Sequence, residues 1–148
     1  MQKDCLFCNN RFEDESIKRY DDWDLQLFKD DQYYICRTVT VFKNRHIVDV
    51  TDLGSSERQE LFDMLIPELQ ESLSEIYSPD LYNYSSLGND SRHLHLHIIP
   101  RYKDPRFFNG RKFEDEHWNQ TYSNNHETVK LSEDDRAELI ETIRNKMP

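Results

Sequence analysis

The sequence predicts an α+β domain, an antiparallel sheet with one long central helix and a C-terminal helix. Three observations carry that prediction. Short runs of alternating apolar and polar residues flank a single long stretch of helical period, the intervals between strands suit hairpins better than crossovers, and a second amphipathic stretch closes the chain.

Residues 9–22 are charged and without clear period, which predicts a loop or a ragged helix. Leu25, Leu27 and Phe28 mark a short strand from Asp24 to Lys29. A second strand is expected from Tyr33 to Lys43, where Val39 and Val41 alternate with Thr38 and Thr40, and Asp31-Gln32 is the expected hairpin turn between the two. Over 56–77, Leu61, Leu65, Leu69, Leu73 and Tyr77 fall four residues apart, joined by Phe62, Ile66 and Ile76, so one helix face is apolar. Ser56 and Gln59 fit a capping box at its start, and Pro67 is expected to kink or split it. Leu81–Leu87 and His93–Arg101 read as strands joined by a turn at Gly88-Asn89-Asp90-Ser91. Residues 102–128 are aromatic and polar with no period. A last helix is expected from Ser132, its cap, to Lys146, with Ala137, Leu139, Ile140, Ile143 and Met147 on its apolar face. No repeat or linker divides the chain, and one domain over 1–148 is expected.

Charge excludes several function classes. A net charge of −10 repels polyanions, so neither a nucleic-acid polymer nor an anionic membrane is an expected partner. One zone differs: between Arg92 and Lys112 six cations stand against one anion, Asp104, which predicts local attraction for a small anion. No apolar run approaches the ~20 residues of a membrane helix, and the first residues do not resemble an export signal. A cytoplasmic protein with its three cysteines reduced or metal-bound is expected.

The chemistry is concentrated in His93-Leu94-His95-Leu96-His97-Ile98-Ile99-Pro100. In a strand, side chains alternate between faces, so the three histidines are expected on one face and Leu94, Leu96 and Ile98 on the other, against the core. At about 3.3 Å per residue His93 and His97 would lie roughly 13 Å apart, too far for one metal ion to take all three. At least one imidazole is then free. Neutral imidazole is a nucleophile near pH 7 and attacks phosphorus, while neighbouring donors hold the phosphate oxygens. Cys5-Leu6-Phe7-Cys8 has the spacing of a metal knuckle or of a redox pair. Cys36 reads as a packed strand residue, and His117 and His126 as surface residues.

Residues 93–99 match the His-φ-His-φ-His-φ-φ pattern of the histidine-triad superfamily, where φ is apolar. Asn83-Tyr84-Ser85-Ser86-Leu87-Gly88-Asn89, Ile99-Pro100-Arg101-Tyr102, Cys36-Arg37, Asn44-Arg45-His46 and Thr51-Asp52-Leu53 resemble its bacterial branch described as diadenosine-tetraphosphate-hydrolase-like. The resemblance spans roughly residues 5–105 and leaves 106–148 as a C-terminal extension. It implies a nucleotide hydrolase or transferase working at the α-phosphate through a nucleotidyl-histidine intermediate, with a nucleotide-binding module of little turnover as the alternative. His95 would be the nucleophile, with His97 at the phosphates and His93 completing the triad. Asn83, Gly88, Asn89 and Asp90 would lie around the phosphate and leaving group, and Arg37 and Thr38 along the ribose. The resemblance also implies a structural zinc on Cys5, Cys8, His46 and His93, no metal in the chemistry itself, and a homodimer joined sheet edge to sheet edge. Asp90 departs from the Ser or Thr often found five residues before the nucleophile.

Overall fold

Strand β2, Trp23–Leu27, and strand β3, Thr38–Phe42, form the antiparallel centre of a five-stranded sheet in a computed structural model that describes residues 3–9 and 13–148. The edge strand β1, Ser16–Arg19, pairs with β2, while β5, His95–Arg101, pairs with β3 and with the other edge strand, β4, Leu81–Ser85. The order is β1-β2-β3-β5-β4, and every neighbouring pair is antiparallel.

One face of the sheet carries Trp23, Leu25, Phe42 and Ile98, and the helices bury it with Leu61, Leu65, Leu69, Leu73, Leu139, Ile140 and Ile143 in a common core. Residues on both sides of position 106 therefore share that core. The other face repeats in rows set by the register. Gln26, Val39, His97 and Ser85 lie side by side across four strands, and Asp24, Val41 and His95 form the next row. Among the described residues no helix is long and apolar enough to cross a membrane.

Several boundaries differ from the sequence reading, each for a local reason. β1 falls within the charged stretch because only Ile17 of its four residues is fully buried, so no apolar pattern marks it. β3 starts at Thr38 rather than Tyr33. The buried Gln32 side chain donates to the carbonyls of Phe28 and Arg37, each at 2.8 Å, and accepts from the Cys36 N–H at 2.9 Å. That holds residues 32–37 as a turn, with Cys36 at φ 68, in place of a two-residue hairpin at Asp31-Gln32. The central helix runs through Ser55–Gln59 (α1), a π-helical turn over Glu60–Leu65 and Ile66–Ile76 (α2). The wide turn directly precedes Pro67, whose missing N–H would have served the Asp63 carbonyl, so the chain widens there. Its start is capped by Glu57, which accepts from the Gly54 N–H at 2.6 Å, not by Ser56 and Gln59. Phe62 is 58% exposed and leaves the apolar face expected of it.

Residues 102–128 hold a hairpin that periodicity missed. β6, Arg106–Phe108, and β7, Arg111–Phe113, join through Asn109 and Gly110, both at positive φ. The Asn-Gly pair was the available signal. The last helix, α3, Glu133–Arg144, is capped as expected: Ser132 Oγ accepts from the Asp135 N–H at 3.1 Å.

Candidate active site

The sheet face opposite the helices forms one wall of a cleft of about 620 Å³, a size that suits a nucleotide. His95, His97, Arg37, Gly88, Asn89 and Asp90 all line it. His95 is buried at the start of β5. Its Nδ1 lies 2.7 Å from the His93 carbonyl oxygen. A carbonyl only accepts, so Nδ1 carries a proton, and in the neutral ring Nε2 holds the lone pair. The fold thus presents one imidazole with a fixed tautomer and a free nucleophilic nitrogen. The His97 ring lies 5.4 Å from that of His95 and stands perpendicular to that of Phe28 at 4.9 Å.

Burial pushes the His97 pKa down to about 3, helped by the Arg37 charge and by His95. His97 is therefore neutral in the folded protein across the physiological range. In the unfolded chain it takes a proton below its ordinary value of 6.5. The unfolded state then binds more protons than the folded one, and stability falls as pH drops from 6.5 towards 3. His97→Asn is expected to flatten this dependence. The fall in the urea midpoint between pH 7 and pH 5 should be smaller in the variant than in wild type, and an equal fall would contradict the account.

His93 stands apart from its two neighbours. The strand begins at His95, and the preceding loop turns the His93 ring towards the N-terminal segment. Its Nδ1 lies 3.4 Å from the sulfurs of Cys5 and Cys8 and 3.2 Å from His46 Nδ1. Cys8 Sγ is 3.4 Å from His46 Nδ1, and all four ligand atoms lie within 4.8 Å of one another. Tetrahedral zinc would set edges of roughly 3.3–3.8 Å from its bond lengths, so the cluster has the dimensions to hold such an ion. His93 Nε2 is fixed on the Phe42 carbonyl at 2.5 Å, which frees Nδ1 for a metal. Alternation predicts His93 on the strand face with His95 and His97; its ring belongs to the Cys2His2 cluster, and its carbonyl oxygen meets His95 Nδ1.

Two expected substrate contacts lie elsewhere. Thr38 is fully buried on the helix side of β3, because alternation points it away from Arg37 and Val39. Asn83 shares the cleft side of the sheet, but its Oδ1 accepts from Arg101 Nη1 at 2.7 Å, and it does not line the cleft. The basic zone also does not serve the cleft. None of its six cations lines the cleft. Arg101 is 2% exposed at its side chain and paired with Asp115 at 2.6 Å, Arg106 donates to the carbonyls of Tyr77, Ser78 and Asp104, and Lys112 pairs with Glu114. Lys29 and Arg37 are the cations that line the cleft.

Sequence reasoning missed the segment 115–131, which covers part of the cleft-side face. Tyr122 donates to Ser85 Oγ at 2.8 Å, and Asn124 accepts from Arg37 Nη1 at 3.2 Å. His126 is not a surface residue: its side chain is 3% exposed, stacked on Tyr33 at 3.7 Å and 3.5 Å from Asp31. No local pattern announces these contacts, since their partners lie 37 to 95 positions away in the chain.

The family model described as HIT domain matches residues 11–104. A search of curated protein sequences found no match. Among solved structures, a histidine triad protein from Bradyrhizobium japonicum superposes with a TM-score of 0.73 at 21% identity, over 94% of this chain and 96% of that one. A hypothetical histidine triad nucleotide-binding protein from Sulfolobus tokodaii gives 0.68 at 16% identity, over 96% and 91%. A Zn-bound histidine triad family protein from Mycobacterium smegmatis gives 0.60 at 19% identity, over 97% and 92%.

Proposed function

The chain belongs to the HIT domain family, and from that premise we propose that it hydrolyses or transfers the nucleoside 5′-phosphoryl group of compounds such as dinucleoside polyphosphates or nucleoside phosphoramidates. The observation that carries the proposal is the Nδ1 contact of His95 with the His93 carbonyl, which makes Nε2 the lone-pair nitrogen of the neutral ring in a residue that lines a nucleotide-sized cleft.

In the proposed reaction His95 Nε2 forms a bond to the α-phosphorus as the bond to the leaving group breaks. The electron pair leaves with the leaving-group atom, which takes a proton from solvent. The nitrogen–phosphorus bond gives the imidazole ring a positive charge that the His93 carbonyl, held on the Nδ1–H, stabilises. Water then attacks the phosphorus, His95 Nε2 departs with its electron pair, and the nucleoside monophosphate is released with loss of a proton. His97 enters neutral and offers its ring nitrogen to a phosphate oxygen as a hydrogen-bond donor rather than as a cation.

Asp90 lines the same cleft, and an anion there opposes a phosphate chain on its side. It favours a second reading, a nucleotide-binding module of little turnover. Assaying nucleoside monophosphate release from diadenosine tetraphosphate and from adenosine phosphoramidate separates the two. Release from either substrate supports the enzyme; nucleotide binding without release from either supports the module.

For the Cys2His2 cluster we propose zinc, which would tie the N-terminal segment to the loop that carries His93 and so steady the base of the triad. Cys5→Ser is expected to abolish stoichiometric zinc in the purified full chain and to lower its melting temperature by about 5 °C, the effect of ~2 kcal/mol on a domain of this size. Wild-type protein that is metal-free and melts like the variant would remove zinc from the account.

A further inference from the structure

Two arginines are buried on the cleft side of the sheet, and they differ in how their donors are used. Arg101 is saturated. Its Nε and Nη2 donate to the Asp115 carboxylate at 2.6 and 3.2 Å, its Nη1 to Asn83 and the Gln120 carbonyl, and its Nη2 also to the His117 carbonyl. Arg37 is 4% exposed, and among the described residues only its Nη1 has a protein acceptor, Asn124 Oδ1 at 3.2 Å. Its Nε is buried with no partner, and no carboxylate stands within ion-pair distance among the described residues. Phe28, 4.4 Å from the guanidinium carbon, and Tyr122, at 5.8 Å, flank the group and restrain its plane. A buried guanidinium with idle donors costs stability unless an acceptor arrives, and a planar fork is shaped for a phosphate.

Position gives this charge a use. Alternation along β3 and its pairing with β5 put Arg37 one step past the Val39–His97 row, on the side away from His95, and its charge is felt at His97. Asp90 lies in the loop that precedes His95 and also lines the cleft. Asp31, the carboxylate whose charge is felt at Arg37, and Glu15, which lines the same cleft, have partners of their own. Asp31 accepts from the N–H groups of Tyr33 and Val129 and meets His126, and Glu15 meets Arg136 and Lys29. Arg37 therefore offers a phosphate a buried cation with an idle Nε, in a cleft that also carries the carboxylates of Glu15, Asp30, Asp31 and Asp90.

We propose that Arg37, oriented by Asn124, is a specificity-determining subsite for a further phosphate of the substrate, beyond the one attacked by His95. The chain is selected for substrates with a polyphosphate leaving group over those with a single phosphorus. This rests on the enzyme reading above. The segment 115–131 thereby takes part in substrate choice, because it supplies the side chain that aims the guanidinium.

The test compares wild type, Arg37→Gln and Arg37→Lys on diadenosine tetraphosphate and adenosine phosphoramidate, and measures binding of inorganic tripolyphosphate by calorimetry. Arg37→Gln is expected to lose kcat/KM on the tetraphosphate at least ~30-fold more than on the phosphoramidate, which corresponds to one charge-assisted hydrogen bond. Tripolyphosphate should bind wild type at least ~10-fold tighter than Arg37→Gln, with Arg37→Lys between them because it keeps the charge and loses the fork. Equal loss on both substrates would place Arg37 at the nucleoside or the attacked phosphate and overturn the proposal. Tripolyphosphate binding that ignores residue 37 would overturn it as well. If wild type turns over neither substrate, the enzyme reading fails, while tripolyphosphate binding that depends on Arg37 still reports the subsite.

Discussion

His95→Ala lowers turnover of any substrate the wild type accepts by at least ~10⁴-fold, because it removes the one group in the cleft with a fixed tautomer and a free nucleophilic nitrogen. The loss should appear in kcat. Binding of the nucleotide product, read by calorimetry, should weaken far less, since the cleft walls and Arg37 remain. The fold should survive. The substitution deletes one hydrogen bond, to a backbone carbonyl at 2.7 Å, worth about 1 kcal/mol, and melting should fall by only a few degrees. A variant that keeps a tenth of wild-type turnover would sink the covalent mechanism.

Arg101→Ala should be the most damaging stability change on the cleft side of the sheet. Arg101 and Asp115 are 2% and 1% exposed at their side chains, and the truncation leaves the Asp115 carboxylate buried without its counter-charge. Breaking one partner of such a pair costs ~3–5 kcal/mol, or about 10 °C in melting temperature for a domain of this size. The carbonyls of His117 and Gln120 lose their donor too, so the segment 115–131 loosens and hydrogen exchange there should rise. The double variant Arg101→Met with Asp115→Leu removes both charges and should recover much of the loss. If the double variant melts no higher than Arg101→Ala, the ion pair is not the source of the cost.

The sequence made the alternation of His95 and His97 legible, and with it the existence of a chemical face, because period two is a local property of one strand. It could not show where the strand begins. His93 sits two residues before β5, and its ring is drawn into the Cys2His2 cluster. Spacing marks Cys5 and Cys8 as a candidate metal knuckle, but His46 and His93 join them only through family likeness, since the convergence brings together parts of the chain 38 to 88 residues apart. The resemblance groups Arg37 and Thr38 along the ribose, although alternation on that strand separates them: Arg37 and Val39 face the cleft and Thr38 the helices. The basic zone misled for a different reason. Summed charge ignores internal partners, and Arg101, Arg106 and Lys112 are each engaged by one. The idle donors of Arg37 are visible only once the fold has shown what each buried arginine touches.

The central claim is a covalent bond between His95 and a nucleoside monophosphate, and intact-mass spectrometry on acid-free quenched reactions reads that bond most directly. Wild type mixed with adenosine phosphoramidate or diadenosine tetraphosphate should gain the mass of one adenylyl group within the first turnover, with the adduct mapped to His95 and absent from His95→Ala. Turnover with no adduct trapped at any quench time, or with the adduct on another residue, would contradict the account.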